Sequence, residues 1–82
     1  MSELARLRWK CRRGTKELDI ILEAFLEQGF GDLTAAQSAT FDRLLDEQDD
    51  RLMSYFYGRQ QPRDGELRAI VETILRYAGR RP

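Results

Sequence analysis

The chain has 82 residues, with 14 Lys and Arg against 14 Asp and Glu, no His and a single Cys. This length accommodates one small domain. The absence of His excludes His-based acid–base catalysis and His-ligated metals, and one Cys excludes an internal disulfide and any site built from several cysteines. No apolar run approaches the ~18 residues of a transmembrane helix, and residues 1–4 lack the layout of a signal peptide. We therefore expect a cytoplasmic protein without membrane insertion.

The charges are segregated along the chain although they sum to zero. Residues 1–16 hold six bases and one acid, residues 17–50 hold ten acids and one base, and residues 51–82 hold seven arginines and three acids. Two arrangements are open: the basic and acidic segments pack side by side and neutralise each other, or a basic edge beside an acidic face steers a polar protein partner. Nucleic acid is disfavoured as a partner because a small DNA-binding protein usually carries net positive charge.

The first two predicted helices follow from apolar residues at helical spacing. The first helix carries Leu4, Leu7 and Cys11. A basic pair followed by Gly14 indicates its end, and Thr15 is suited to cap the second helix. The stripe of the second helix consists of Leu18, Ile21, Leu22, Phe25 and Leu26. The glycines in residues 28–32 predict the end of this helix.

The other three predicted helices each begin at a polar residue suited to an N-cap. Thr34 opens the third, over residues 35–47, in a capping box with the glutamine three positions on. Asp49 is predicted to cap the fourth helix, which Gly58 ends, and Asp64 to cap the fifth. Their apolar residues are Phe41, Leu44, Leu45, Leu52, Met53, Tyr55, Phe56, Tyr57, Leu67, Ile70, Val71, Ile74 and Leu75.

The predicted fold class is all-α, a small single-domain bundle of about five short helices. No segment alternates apolar and polar residues for long enough to predict a strand. The domain is expected to span residues 1–82, with its core over about 4–78 and a loose C-terminal tail over 79–82. A monomer is expected because the five helices account for the core residues.

The sequence contains no recognisable catalytic or cofactor-binding pattern, so the protein is not expected to be an enzyme. It has no glycine-rich phosphate loop and no nucleophile–base pair. Cys11 lies on the apolar stripe of the first helix, where a buried small hydrophobe is favoured over a reactive thiol. The acids of residues 46–50 lack the spacing of a calcium loop and are interpreted as a solvated turn.

The segment 8–17 stands apart because it combines the only Trp with five of the basic residues beside a predicted helix end. Arg13 and Glu17 flank Gly14, so their side chains can meet across a tight turn between two helices. Such a pair either braces the corner or presents a donor fork and an acceptor to a partner. Gly14 allows positive φ and a close approach by another surface. Both interpretations stay open at the level of the sequence.

The residues of this segment resemble the Arg-Gly-x-x-Glu motif of the SdhE/YgfY family of FAD assembly factors. The match is Arg13-Gly14-Thr15-Lys16-Glu17, and further residues resemble the family in order and spacing. They are Trp9, Cys11-Arg12, Leu18-Asp19, Phe41-Asp42-Arg43-Leu44-Leu45-Asp46, Asp49, Leu52, Tyr55 and Pro62. The resemblance covers about residues 6–76. Two departures, Tyr55 in place of a common Trp and Asp50 in place of a Pro, affect only the fourth-helix region.

The resemblance implies a chaperone-like protein that promotes covalent attachment of FAD to the flavoprotein subunit of succinate dehydrogenase, and in some bacteria of fumarate reductase. Family members are small helical bundles, and the flavin bond forms on a histidine of the flavoprotein. By this resemblance Arg13, Gly14 and Glu17 form the partner-binding surface, which Arg12 and Trp9 extend. No catalytic, metal-binding or tight FAD-binding residue is implied in this chain, although weak FAD binding stays open.

The alternative function is a regulatory module, either an antitoxin-like protein or a helical DNA-binding protein. DNA binding calls for a basic recognition helix. The candidate helix over residues 35–47 is acidic instead, since Asp42, Asp46 and Glu47 outnumber Arg43. The sequence therefore favours the assembly factor.

Overall fold

The predicted helical periodicity corresponds to five α-helices in the structure, a computed structural model that describes residues 2–78. The helices are α1 (Glu3–Lys10), α2 (Lys16–Gln28), α3 (Ala35–Leu44), α4 (Asp49–Phe56) and α5 (Gly65–Ala78). A 3₁₀-helix, Phe30–Asp32, follows α2. Residues 2–78 contain no β-strand, so the all-α fold class is confirmed. The predicted loose tail at 79–82 lies outside the described residues.

One hydrophobic core contains residues from all five helices. Helix α5 packs against α2 and α3, and α2 also contacts α1 and α4. The fully buried large side chains are Leu7, Leu18, Leu22, Phe25, Phe41, Leu44, Leu52 and Ile74. Leu4 and Tyr57 were predicted to belong to the core but are exposed. Leu4 lies in the first turn of α1, and Tyr57 directly follows α4. No helix of the described residues is long and apolar enough to span a membrane.

Several helix ends follow the local signals of the sequence. Thr34 and Gln37 form the predicted capping box at the start of α3. The carboxylate of Asp64 accepts hydrogen bonds from the N–H groups of Glu66 and Leu67, as expected of the cap of α5. The backbone N–H groups of two residues that follow α4 bond back to Ser54 and Tyr55 in a Schellman motif around Gly58.

Three predicted boundaries are wrong in detail, and one correctly placed cap makes no capping hydrogen bond. Helix α1 ends at Lys10, ahead of the basic pair, and α3 ends at Leu44 rather than at residue 47. Thr15 occupies the N-cap position of α2, but its hydroxyl makes no capping hydrogen bond. Gln48, with extended backbone, is the N-cap of α4, and Asp49 is the first helical residue. Asp49 does not cap the helix because its carboxylate binds an arginine from another part of the chain.

Candidate functional site

The chain turns between α1 and α2 at residues 11–15, which we call the Gly14 corner. Gly14 has a φ of +81°, in the left-handed region that L side chains rarely adopt. A Cβ built on Gly14 would meet no atom within 4 Å. The glycine therefore serves the backbone turn and not a tight contact within the molecule. Its bare, exposed outer side allows a second surface to approach the backbone.

Arg13 lies at this corner with its side chain directed into the molecule, where it is 15% exposed. The guanidinium donates hydrogen bonds to the carbonyl oxygens of Lys10, Leu45 and Glu47, at 3.0, 2.8 and 2.7 Å. Its Nε donates to a carboxylate oxygen of Asp49 at 2.8 Å. Four of the five N–H groups of the guanidinium are thus used inside the protein. Arg13 joins the end of α1 to the α3–α4 connection and to the start of α4.

The backbone of Arg13 is also held. Its N–H donates to a carboxylate oxygen of Asp19 at 2.8 Å, so the first turns of α2 bind back to the corner. The ion pair that Arg13 and Glu17 could form across the turn is absent from residues 2–78. Arg13 points to the inner side of the corner, whereas Glu17 is exposed. Arg13 and Glu17 thus lie at the same corner, but their side chains point to different sides of it.

Glu17 lies in the first turn of α2, directly after the corner. Its carboxylate makes no hydrogen bond or ion pair with another residue in 2–78. The positive end of the helix macrodipole stabilises a negative charge at this place. Glu17 is therefore an exposed acceptor held on a rigid element, and its acceptor capacity is free for a partner.

Trp9 and Arg12 extend the outer side of the corner. Trp9 is 71% exposed, and the guanidinium carbon of Arg12 lies 5.8 Å from the centroid of its ring. This distance suits a cation–π contact, which orders two large side chains at the surface. Exposed Trp and Arg side chains are the types most often found at the centres of protein interfaces. Trp9, Arg12, Gly14 and Glu17 are exposed at the corner, and because the family resemblance predicts partner contacts for them, we call them the docking surface.

Cys11, at the end of α1, is fully buried and belongs to the core. Burial raises the pKa of its thiol to about 12, and the charge of Arg13 offsets this effect only in part. A thiol with so high a pKa is almost entirely protonated at neutral pH and is a poor nucleophile. The interpretation of Cys11 as a buried hydrophobe is therefore confirmed.

A row of ion pairs links the inner side of α1 to α3. Arg6 binds Asp42 at 2.8 Å, and Lys10 binds both Asp42 and Asp46. Hydrogen bonds from Arg6 and Lys10 lower the pKa of the Asp42 carboxyl, although partial burial opposes them. Part of the basic block and part of the acidic block thus neutralise each other, which is one of the two arrangements that the charge pattern allowed. No group of three or more His, Cys, Asp or Glu in residues 2–78 is placed to hold a metal ion.

The sequence does not predict the inner partners of Arg13. Asp19 follows the motif in the chain without a predicted role, and Asp49 is predicted to cap a helix. The carbonyl oxygens of Leu45 and Glu47 carry no sequence signal at all, because every residue has such a group. One sequence signal does point to these contacts. Arg13 follows a predicted helix end, and the last carbonyl groups of a helix need hydrogen-bond donors.

The fold and the corner define a small helical protein with an exposed surface at the join of α1 and α2. A family model described as "Flavinator of succinate dehydrogenase" matches residues 5–78. The chain therefore belongs to this family of FAD assembly factors.

Curated relatives support the same assignment. A protein of Colwellia psychrerythraea (strain 34H) named FAD assembly factor SdhE is 42% identical over 72 residues, which cover 88% of this chain and 79% of the relative. A protein of the same name from Mannheimia succiniciproducens is 45% identical over 74 residues, 90% of this chain and 86% of the relative. Another from Coxiella burnetii is 42% identical over 69 residues, 84% of each chain.

Proposed function

We propose that this protein binds the flavoprotein subunit of succinate dehydrogenase and promotes its covalent flavinylation with FAD. Membership of the flavinator family carries the proposal. The exposed corner supports it, because Gly14 and Glu17 of the Arg-Gly-x-x-Glu pattern lie where a partner can reach them. The protein acts as an assembly factor and not as an enzyme.

The proposed contact is made by the docking surface. Gly14 lets the backbone of the partner approach, Glu17 accepts a hydrogen bond or pairs with a basic group, and Arg12 and Trp9 supply a cation and an aromatic face. Arg13 belongs to the site in a different way. It holds the corner from the inner side through its four hydrogen bonds, and so fixes the geometry that the partner meets.

The proposed mechanism is differential binding. A protein that binds one conformation of its client more tightly than the others shifts the population toward that conformation. We expect the favoured conformation to be one in which the flavoprotein's own residues complete the bond between its histidine and FAD. This chain supplies no His to that reaction, and Cys11 is buried.

The proposal also includes the setting in which the protein acts. We expect a cytoplasmic monomer that serves succinate dehydrogenase first and fumarate reductase as a possible second client. It does not bind nucleic acid. It needs no cofactor of its own, and any contact with FAD is weak.

The direct test measures covalent flavin fluorescence of the succinate dehydrogenase flavoprotein in denaturing gels. Cells that lack this protein should lose the fluorescent band, and the wild-type gene should restore it. Glu17→Ala should reduce the band while the melting temperature of the variant stays close to that of the wild type. The matched control is Glu27→Ala, an exposed glutamate on the same helix outside the docking surface. An unchanged band in cells without the protein would contradict the assembly function.

Gly14→Ala tests the close approach of the partner. The helices should form, since no neighbour blocks the added Cβ, and the strain of a positive φ should cost about 1 kcal/mol of unfolding free energy. Binding to the flavoprotein should weaken more than this cost explains. Gly31→Ala, another exposed position with open space, is the control. A Gly14→Ala variant that binds and flavinylates like the wild type would sink the close-approach idea.

A further inference from the structure

The six bases of residues 1–16 fall into two groups of three. One group pairs with carboxylates of residues 42–49 and consists of Arg6, Lys10 and Arg13. The other group is exposed and has no ion pair with another residue in 2–78; it consists of Arg8, Arg12 and Lys16. Half of the basic charge of this segment is therefore neutralised internally, and half is left at the surface.

The helical repeat explains this division. Successive residues of an α-helix are rotated by about 100°, so residues two apart point to nearly opposite sides. Arg6 and Lys10 lie on the side of α1 that faces α3, which places Arg8 on the side turned away from the acids. The backbone N–H of Arg12 still bonds to the carbonyl oxygen of Trp9 at 3.1 Å, so the helical direction persists to Arg12. Lys16 begins α2 on the far side of the Gly14 corner.

We propose that Arg8, Arg12 and Lys16, which we call the basic strip, bind an acidic surface of the flavoprotein. On that surface we expect carboxylates around an apolar pocket that binds the ring of Trp9. The inference rests on the proposed function and adds the chemistry of the partner's face to it. The unpaired positive charge of these residues favours an acidic partner, and the contact of Arg12 with Trp9 places part of that charge on the docking surface.

The acidic row of a second copy is a poorer occupant of the basic strip. In that row Asp42, Asp46 and Asp49 are already bound by bases of their own chain. Binding them to another molecule would exchange one set of ion pairs for another and gain little. An acidic surface that lacks internal partners gains more from the strip, and a client protein can provide one.

The basic strip should act mainly on the rate of association. Exposed ion pairs contribute little to stability or affinity, but long-range attraction between complementary surfaces raises the association rate at low salt. Trp9, Gly14 and Glu17 would then set the lifetime of the complex. Loss of the basic strip should therefore slow association, whereas loss of Trp9, Gly14 or Glu17 should shorten the lifetime of the complex.

The experiment measures the association rate constant of the purified full chain with the purified flavoprotein subunit, at low and at high ionic strength. The triple variant Arg8→Gln, Arg12→Gln and Lys16→Gln should reduce the low-salt rate about tenfold and flatten its salt dependence. The matched control is Arg59→Gln, Arg63→Gln and Arg76→Gln, which removes the same charge from exposed, unpaired positions elsewhere. The control should associate at close to the wild-type rate.

The possible results separate the two proposals. If the wild-type protein binds the flavoprotein with a rate that salt does not change, or if both triple variants slow association equally, the basic strip is overturned while the assembly function stands. If the wild-type protein does not bind the flavoprotein at all, both proposals fall. Sedimentation tests for a dimer of this chain. A salt-sensitive dimer that the strip variant abolishes would assign the strip to self-association and overturn the inference. Circular dichroism should show native helix content in both variants, because all six positions are exposed.

Discussion

Arg13 belongs to the Arg-Gly-x-x-Glu pattern but acts inside the molecule, where its side chain is largely buried. Its hydrogen bonds reach backbone carbonyls at the end of α1 and in the α3–α4 connection, and they include one carboxylate. Hydrogen bonds that involve a charged group are about twice as strong as neutral ones. The planar guanidinium fork satisfies acceptors in several directions at once. The outer face of the Gly14 corner is therefore as rigid as the inner face on which it is fixed.

We predict that Arg13→Lys destabilises the fold by about 2 kcal/mol, because an ammonium group cannot reach the same four acceptors and leaves carbonyl groups without donors. Urea unfolding of the variant and the wild type measures this cost. Arg12→Lys is the matched control. Arg12 makes a cation–π contact at the surface, so its substitution should change stability by less than about 0.5 kcal/mol. Equal stability of Arg13→Lys and wild type would show that the brace is dispensable.

The sequence predicted the turn at the Gly14 corner better than the inner contacts of the corner. Gly14 was identifiable because a glycine after a basic helix end indicates a positive φ. The exposed Trp9 and Glu17 were singled out by their neighbours in the chain. Three of the partners of Arg13 lie 32 to 36 residues away, and no local pattern encodes such contacts. Only the packing of α3 and α4 against the corner decides it.

At the scale of the helices, the join between α2 and the 3₁₀-helix depends on a glycine that packs closely. Gly29 is the C-cap of α2, and a Cβ there would lie 2.7 Å from the ring of Tyr77 and 2.9 Å from the ring of Phe25. The two rings contact each other edge to face, with centroids 5.6 Å apart. Phe25 is fully buried, so it cannot move aside without disturbing the core.

We predict that Gly29→Ala lowers the free energy of unfolding by about 1–3 kcal/mol, the usual cost of overpacking a core. Thermal unfolding measures the loss, and Gly31→Ala serves as the control because open space surrounds it. In a Tyr77→Ala background the cost of Gly29→Ala should shrink, since residues in contact do not act additively. An equal cost in both backgrounds would show that the Tyr77 ring is not what opposes the methyl group.

Local sequence signals predicted the positions of the helices well, but they predicted only some of the helix caps correctly. The capping box at Thr34 and the Schellman motif around Gly58 depend on residues within one turn, and both form as predicted. The cap assigned to Asp49 failed because Arg13 competes for its carboxylate. Where a side chain has a choice between a local backbone group and a distant charge, tertiary packing decides. Helix existence could thus be predicted from the sequence, but boundaries at charged residues could not.

At the scale of the whole molecule, charge holds the N-terminal helix in place. Few residues of α1 are buried: Leu7 is fully buried, and Cys11 follows at the helix end. The ion pairs of Arg6 and Lys10 with α3 add to this small apolar contact. Because α1 carries Trp9 and leads into Arg12 and the Gly14 corner, these ion pairs also position the docking surface. The fold thus places part of the basic block against part of the acidic block.

This arrangement makes stability depend on pH in a direction that can be stated. Hydrogen bonds from Arg6, and then from Lys10, lower the pKa of Asp42 below its ordinary value of 3.8. A carboxylate whose pKa is lower in the folded state stabilises the fold above its unfolded pKa, and this contribution is lost as the pH falls through the folded value. We therefore predict that the contribution of Asp42 to the free energy of unfolding is constant near neutral pH and decreases below about pH 4.

Asp42→Asn tests this prediction by removing the titrating group from the row of ion pairs. At pH 7 the variant should lose about 1 kcal/mol, since Asp42 is only partly buried and its pairs are partly screened. At acid pH the variant and the wild type should converge, because the wild-type carboxyl is then protonated and has lost the same ion pairs. Urea unfolding at both pH values measures the difference, and Asp50→Asn, an exposed acid outside the row, is the control. A stability gap at acid pH as large as at pH 7 would mean that Asp42 acts through its packing, and the docking surface would then be held by shape and not by charge.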